Sequence, residues 1–162
     1  MTALTPDQPY ELRIRPGTAA DTPATMALIQ ELAAFERAAH EVSLTADQLR
    51  QDGFEQACPL YQLQVAEAWP AGEAATPGEG MLVGIALTYF QYSTWKGKRL
   101  YLEDIVVTQA WRGQGIGSQL MEAVVLLAKN TGCNGIRWQV LDWNADAIRF
   151  YERWGAAIDP HW

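Results

Sequence analysis

The sequence predicts one mixed α/β domain. Two long β-type runs, Met81–Gln91 and Leu100–Val107, sit mid-chain, and behind them helical and extended patterns alternate, as in a mixed central sheet flanked by helices. A length of 162 residues, 49% hydrophobic and 19% charged, suits a single core, and no internal repeat or low-complexity tract interrupts it. Residues 1–9, polar with two prolines, are expected to form a flexible N-terminal segment ahead of a domain over 10–162.

A first strand is expected over Tyr10–Arg15, where Leu12 and Ile14 alternate with charged residues. Thr22 and Pro23 open a helix that turns Met26, Ile29, Leu32, Ala33 and Phe35 toward the core. Thr45-Ala46-Asp47-Gln48 has the form of a capping box for a short helix ending near Gly53. Leu60–Glu67 follows as a strand, and Ala68–Gly80, with two prolines and three glycines, as a surface loop. The two long strands are joined by Tyr92–Arg99, which turns back at Lys96-Gly97-Lys98. Ser118–Lys129 is a helix with an apolar face, Ile136–Leu141 a strand, and Asn144 caps a last helix that Gly155 ends.

The net charge of -7 disfavours nonspecific nucleic-acid binding and is compatible with a cationic substrate. Cys58 and Cys133 lie far apart without metal-ligand spacing and read as free, buried or half-buried thiols; His40 and His161 form no cluster with them, so no structural metal is expected. The N-terminus lacks the apolar core of a signal peptide and no run of eighteen apolar residues exists. A cytoplasmic protein without a membrane partner is the expectation.

The chemistry concentrates between Tyr101 and Ser118. Tyr-Leu-Glu-Asp-Ile-Val-Val is an extended run, and Arg112-Gly113-Gln114-Gly115-Ile116-Gly117-Ser118 is a glycine-rich turn opening a helix. Unpaired N–H groups and the positive end of the helix dipole face such a turn, glycines let them close on a ligand, and Arg112 adds a charge suited to pyrophosphate. A P-loop would need Gly-Lys-Ser/Thr at its end, and a dinucleotide turn starting at Gly113 would need glycine at Ser118; neither fits. Arg112-x-x-Gly115-x-Gly117 after a strand resembles the pyrophosphate loop of the GNAT superfamily of acyl-CoA-dependent N-acetyltransferases. Asn144-x-x-Ala147-x-x-Phe150-Tyr151, ended by Gly155, resembles the asparagine-to-tyrosine helix of the same superfamily.

From Leu12 to Trp162 the chain is similar to the diamine (spermidine/spermine) acetyltransferase family, through Arg13-Ile-Arg15-Pro16, Leu32-Ala-Ala-Phe35-Glu36, Asp52-Gly53-Phe54, Tyr101-Leu-Glu103-Asp104 and Leu141-Asp-Trp143-Asn144. Ser93-Thr94-Trp95-Lys96-Gly97 is most like its thialysine N-epsilon-acetyltransferase branch. The resemblance implies the GNAT fold, a homodimer and acetyl-CoA as cosubstrate. It also implies a further edge strand past Trp162, apparently missing here: either the fold does without that strand or the sequence continues beyond Trp162, and a partner chain could cover the edge.

The implied reaction moves acetyl from acetyl-CoA to a primary amine of a small molecule in a ternary complex. An amine of pKa about 10.4 is free at pH 7 in about 1 part in 2,500, so unaided deprotonation costs about 4.6 kcal/mol. The resemblance nominates Glu103 for that proton, as base or as a carboxylate that only binds the ammonium, and Tyr151 as the acid that protonates the CoA thiolate. Asp104, its strand neighbour, would point the other way on a regular strand and is read as structural, paired with an arginine. The family places main-chain groups of Ile105, Val106 and Val107 on the pantetheine arm with Asn144 and Ala147, and Arg112 to Ser118 on the pyrophosphate. Phe35, Glu36, Ser93, Thr94 and Trp95 would line the amine, with Glu36 alternatively a solvated helix charge. Ser93-Thr94 stands where the polyamine branch carries Asp-Pro, which favours thialysine, a lysine-like amine or a short diamine over a long polycation. Two other readings are an acyl-CoA-binding regulatory module without turnover, and acetylation of protein lysines or N-termini.

Overall fold

Strand β1 (Tyr10–Pro16) is the outer member of a five-stranded sheet whose order follows the chain: β1, β2 (Gln62–Pro70), β3 (Met81–Ser93), β4 (Gly97–Val107) and β5 (Ile136–Arg137). The first four pair antiparallel, and β5 joins β4 in parallel. The computed structural model describes residues 4–73 and 76–159; the first three residues of the expected flexible segment, and His161 and Trp162, lie outside them. Within that segment, Leu4 packs on the core and the Pro9 carbonyl accepts the Ala71 N–H at 2.9 Å.

Two helical layers cover the sheet. Helix α3 (Ile116–Asn130) lays Ile116, Leu120, Met121, Val124 and Ala128 on Ala66, Ala68, Val83, Ala86, Leu100 and Leu102. On the opposite face α1 (Thr22–Phe35) and α2 (Ala46–Arg50) close a second cluster of Leu28, Leu49, Leu63, Val65, Ile85, Leu87 and Val106. Helix α4 (Ala145–Arg153) packs Tyr151 on Trp138, the residue that follows β5.

Several boundaries depart from the pattern-based expectation, each for a local reason. β2 continues to Pro70 because Ala68, Trp69 and Pro70 pair with Leu12, Glu11 and Tyr10. β3 and β4 run on to Ser93 and Gly97, where the Ser93 hydroxyl accepts the Trp95 and Lys96 N–H groups at 3.2 and 3.1 Å and holds a three-residue turn. Thr45 caps α2 by accepting the Gln48 N–H, but the Gln48 amide donates to Asp52 instead of turning back, and the helix continues as a π turn over Gln51–Glu55. Phe35, expected in the core, is 44% exposed because it ends α1 beyond the sheet, while Leu28 takes the buried place. Cys58 is exposed rather than buried, and Cys133 is half-buried.

The last strand is the largest correction. Only Ile136 and Arg137 pair, with Leu100 and Tyr101, and the segment 138–141 leaves the sheet. The reason lies in β4: Leu102 pairs with Thr88 and Asp104 with Leu87, so Glu103 is the extra residue of a bulge that starts just past the last β4–β5 pair. Beyond it β4 and the segment after β5 part and open a cleft.

Candidate active site

The carboxyl end of β4 delivers the chain into a single 3₁₀ turn, Gln109–Trp111, anchored by Trp111, which is buried and packs edge-on against Tyr10. Gly113 and Gly115 follow at φ of 78° and 76°, and Gly115 is the N-cap of α3. A Cβ at either glycine would meet nothing, so it is the left-handed backbone that demands glycine there. Gly117 differs: it lies inside α3 with ordinary helical backbone and faces the Phe150 ring. Arg112 donates from Nε to the Val107 carbonyl at 3.0 Å, and its guanidinium carbon stands 5.5 Å from the centre of the Phe35 ring.

These residues rim a pocket of about 420 Å³, lined by Val107, Arg112, Gly113, Gly115, Ile116, Gly117 and Ser118 with Phe150 and Arg153 of α4. Gln114 is exposed and does not line it. Arg153, a second cation facing the glycine turn, had no place in the motif reading; its spacing of three from Phe150 puts both on one face of α4 and was the available signal.

The larger opening, about 1230 Å³, runs between β4 and the departing segment after β5, and Leu32, Glu36, Glu103, Asp104, Ile105, Asn144, Ala147 and Tyr151 all border it. Val106 does not, since its side chain is buried in the α1-side cluster. Among the described residues no strand of the sheet lies on this edge of β4 past Tyr101, which leaves room for a ligand to pair there. Asn144 accepts the Ala147 N–H at 3.2 Å and so caps α4. At the other end the Gly155 N–H donates to the Glu152 carbonyl and the Ala156 N–H to that of Tyr151, a Schellman closure with Gly155 at φ 75°. The tip residues Ser93, Thr94 and Trp95 do not border the cleft, and Trp95 is 90% exposed. Phe35 does not line the cleft either; its ring lies 5.7 Å from that of Trp143.

Burial sets the titration of the cleft. The Tyr151 hydroxyl is pushed up to about 12 by burial, then by the nearby carboxylates of Asp104 and Glu36, while its ring packs on Trp138 and Phe150. It therefore holds its proton at neutral pH. Asp104 is pushed up to about 6, again by burial first and then by Glu103 and Glu36. Among the described residues no arginine pairs with Asp104, and both it and Glu103 border the cleft, so the reading of Asp104 as a structural ion-pair partner does not hold. An acid that keeps its proton beside a carboxyl that titrates near 6 can hand on one proton and accept another.

Residues 28–156 match the model of the acetyltransferase (GNAT) family. The chain belongs to that family. As a GNAT acetyltransferase it uses acetyl-CoA as cosubstrate. It is 44% identical over 147 residues to the thialysine N-epsilon-acetyltransferase of Mus musculus, covering 89% of this chain and 83% of that one. It is 40% identical over 144 residues to the spermidine/spermine N(1)-acetyltransferase-like protein 1 of Homo sapiens, with 89% of this chain but 20% of the relative covered. Among solved structures it is similar to an aminoglycoside acetyltransferase from an uncultured soil metagenomic sample, at a TM-score of 0.70 and 20% identity, over 91% of this chain and 90% of the other. That likeness bears on the fold, which is the GNAT fold. No group of three or more His, Cys, Asp or Glu among the described residues could hold a metal ion, and no helix among them is long and apolar enough to cross a membrane.

Proposed function

We propose that this acetyltransferase acts on a primary amine of a small molecule, of the thialysine, lysine-like or short diamine class. The observation that carries the reading is the gathering of Glu36, Glu103, Asp104 and Tyr151 on one cleft, three carboxyl groups to draw in an ammonium beside one half-buried phenol. The glycine turn and Arg112 would take the pyrophosphate and the open edge of β4 the pantetheine arm, with Asn144 and Ala147 across the cleft.

In the reaction, the ammonium first gives a proton to a carboxylate. Asp104 is the better acceptor because its affinity for a proton is raised, and Glu103, more exposed, orients the amine. The amine lone pair then attacks the thioester carbonyl carbon, the tetrahedral adduct breaks its C–S bond, and the leaving sulfur takes the Tyr151 phenolic proton. The products are the N-acetyl amide and CoA. As the amide forms, its nitrogen passes its remaining extra proton to the Tyr151 phenolate, and the acceptor carboxyl gives its proton to solvent, so that both groups are restored.

A homodimer in the cytoplasm is the assembly and address that fit this reading; Tyr92 and Trp95, exposed at the β3–β4 tip, are the apolar groups a second copy would cover. A binding module without turnover is disfavoured, since it would need neither the half-buried phenol nor the titrating carboxyl.

The deciding measurement is CoA release from acetyl-CoA with thialysine, lysine, putrescine, spermidine and spermine, using Tyr151→Phe as control. Turnover strongest with thialysine or a short diamine, and depressed in the variant, supports the reading. Acetyl-CoA binding without turnover on any of these amines overturns it.

A further inference from the structure

Glu31, on the third turn of α1, reaches across the molecule to the corner that leads into the glycine turn. Its Oε2 accepts the Thr108 hydroxyl at 2.7 Å and its Oε1 accepts the Gln109 N–H at 2.8 Å. The same Oε1 lies 3.8 Å from an Arg112 Nη. Thr108 is the N-cap residue of the Gln109–Trp111 turn but gives it no side-chain cap; its hydroxyl is donated to Glu31. A carboxylate more than seventy residues away in sequence therefore caps that turn in its place.

The placement is costly for a purely structural group. A carboxylate beside an anion-binding turn opposes the anion, and packing alone would be served by an apolar residue. What the charge supplies is order. Each charge-assisted hydrogen bond is worth about 1.5–3 kcal/mol, whereas a half-exposed ion pair such as Glu31–Arg112 is worth about 1 kcal/mol or less. The two bonds to the corner thus outweigh both the ion pair and the competition it offers. With the corner set, the Arg112 Nε bond to the Val107 carbonyl aims the guanidinium along the rim of the pocket, and less ordering is left to the moment of binding.

We infer that Glu31 is a positioning residue for the donor: it holds the Thr108–Arg112 corner in the arrangement that receives the pyrophosphate of acetyl-CoA. The assignment rests on the reading that this turn takes the pyrophosphate. It also ties the two halves of the site together, since Phe35, one helical turn on, meets the same guanidinium, and Glu36 beside it borders the cleft.

The test compares the wild-type chain with Glu31→Gln, using acetyl-CoA and S-acetylpantetheine, a donor without the pyrophosphate. In the variant the KM and the calorimetric Kd for acetyl-CoA rise about 10-fold, about 1.4 kcal/mol. The kcat at saturating acetyl-CoA holds, and kcat/KM for S-acetylpantetheine stays at the wild-type value. Thr108→Val produces part of the same loss, and the double variant is no worse than Glu31→Gln alone. Unchanged acetyl-CoA affinity in a variant of native circular dichroism overturns the assignment, as does an equal loss with both donors, which marks a general structural role. A wild-type chain that binds no acetyl-CoA overturns the reading beneath it as well, so the two failures are told apart by the wild type alone.

Discussion

Glu103 and Asp104 stand on the same side of β4 although they are neighbours in the chain. Leu100 and Leu102 pack toward α3, as do Ile105 and Val107, while Val106 packs toward α1. The alternation therefore changes phase between 102 and 105, where Glu103 is the unpaired residue of the bulge. One inserted residue turns a strand that would split the two acids between faces into one that offers both to the cleft with Glu36 and Tyr151.

Activity against pH follows from that geometry. Asp104 accepts a proton only when ionised, so kcat/KM for the amine rises with pH through about 6 in the wild-type chain. Asp104→Asn removes this step and lowers kcat by about 10²-fold or more, while Glu103→Gln acts chiefly through a higher KM for the amine. Persistence of the step near 6 in Asp104→Asn would assign it elsewhere.

The same carboxyl costs stability. Its folded-state pKa, about 6, lies above the ordinary 3.8, so the folded protein binds more protons than the unfolded chain between these values and stability falls as pH rises through them. At pH 7 and above the penalty reaches about 3 kcal/mol as an upper figure. Asp104→Asn should therefore raise Tm at pH 7.5 and leave it nearly unchanged at pH 4. Thermal unfolding at the two pH values checks the sign, and an equal shift at both would exclude ionisation as the cause.

How much of this was legible in the sequence depends on range. The turn at Gly113–Gly115 and the cap at Asn144 are local, and the residues that make them are the residues that announce them. The phase change at Glu103 is set by how β4 meets β3, and nothing within Tyr-Leu-Glu-Asp marks it. The short β5 is its consequence: Trp138 to Leu141 have a strand's composition, but the neighbour they would pair with has turned away. Glu31 was invisible for the same reason, because its partners Thr108 and Gln109 lie 77 and 78 residues on.

Glu67 supplies a stability prediction away from the cleft. It is fully buried on β2, accepts the Gly78 and Gly80 N–H groups at 2.8 and 2.9 Å, and takes Arg15 Nε at 2.6 Å, while the other Arg15 nitrogens hold Asp21 at 2.8 and 2.9 Å. Arg15→Ala leaves a buried carboxylate without its cation and should cost about 3–5 kcal/mol. For a chain of this size that lowers Tm by roughly 6–20 °C. A drop under about 2 °C would mean that water or a rearrangement replaces the arginine.

Two glycines of one turn answer to different physics, and alanine separates them. Gly115 needs its left-handed backbone, so Gly115→Ala should cost about 1–2 kcal/mol and weaken acetyl-CoA binding by distorting the turn. Gly117 sits in ordinary helix, where alanine is favoured by about 1 kcal/mol and its Cβ would make ordinary contact with Phe150 at 3.5 Å. Gly117→Ala should therefore hold or raise Tm while the added methyl keeps the phosphates off the helix N-terminus and raises the acetyl-CoA KM about 10-fold. Melting curves and donor kinetics on the pair decide the matter: a Gly117→Ala chain with unchanged KM would show that no phosphate approaches the backbone at that position.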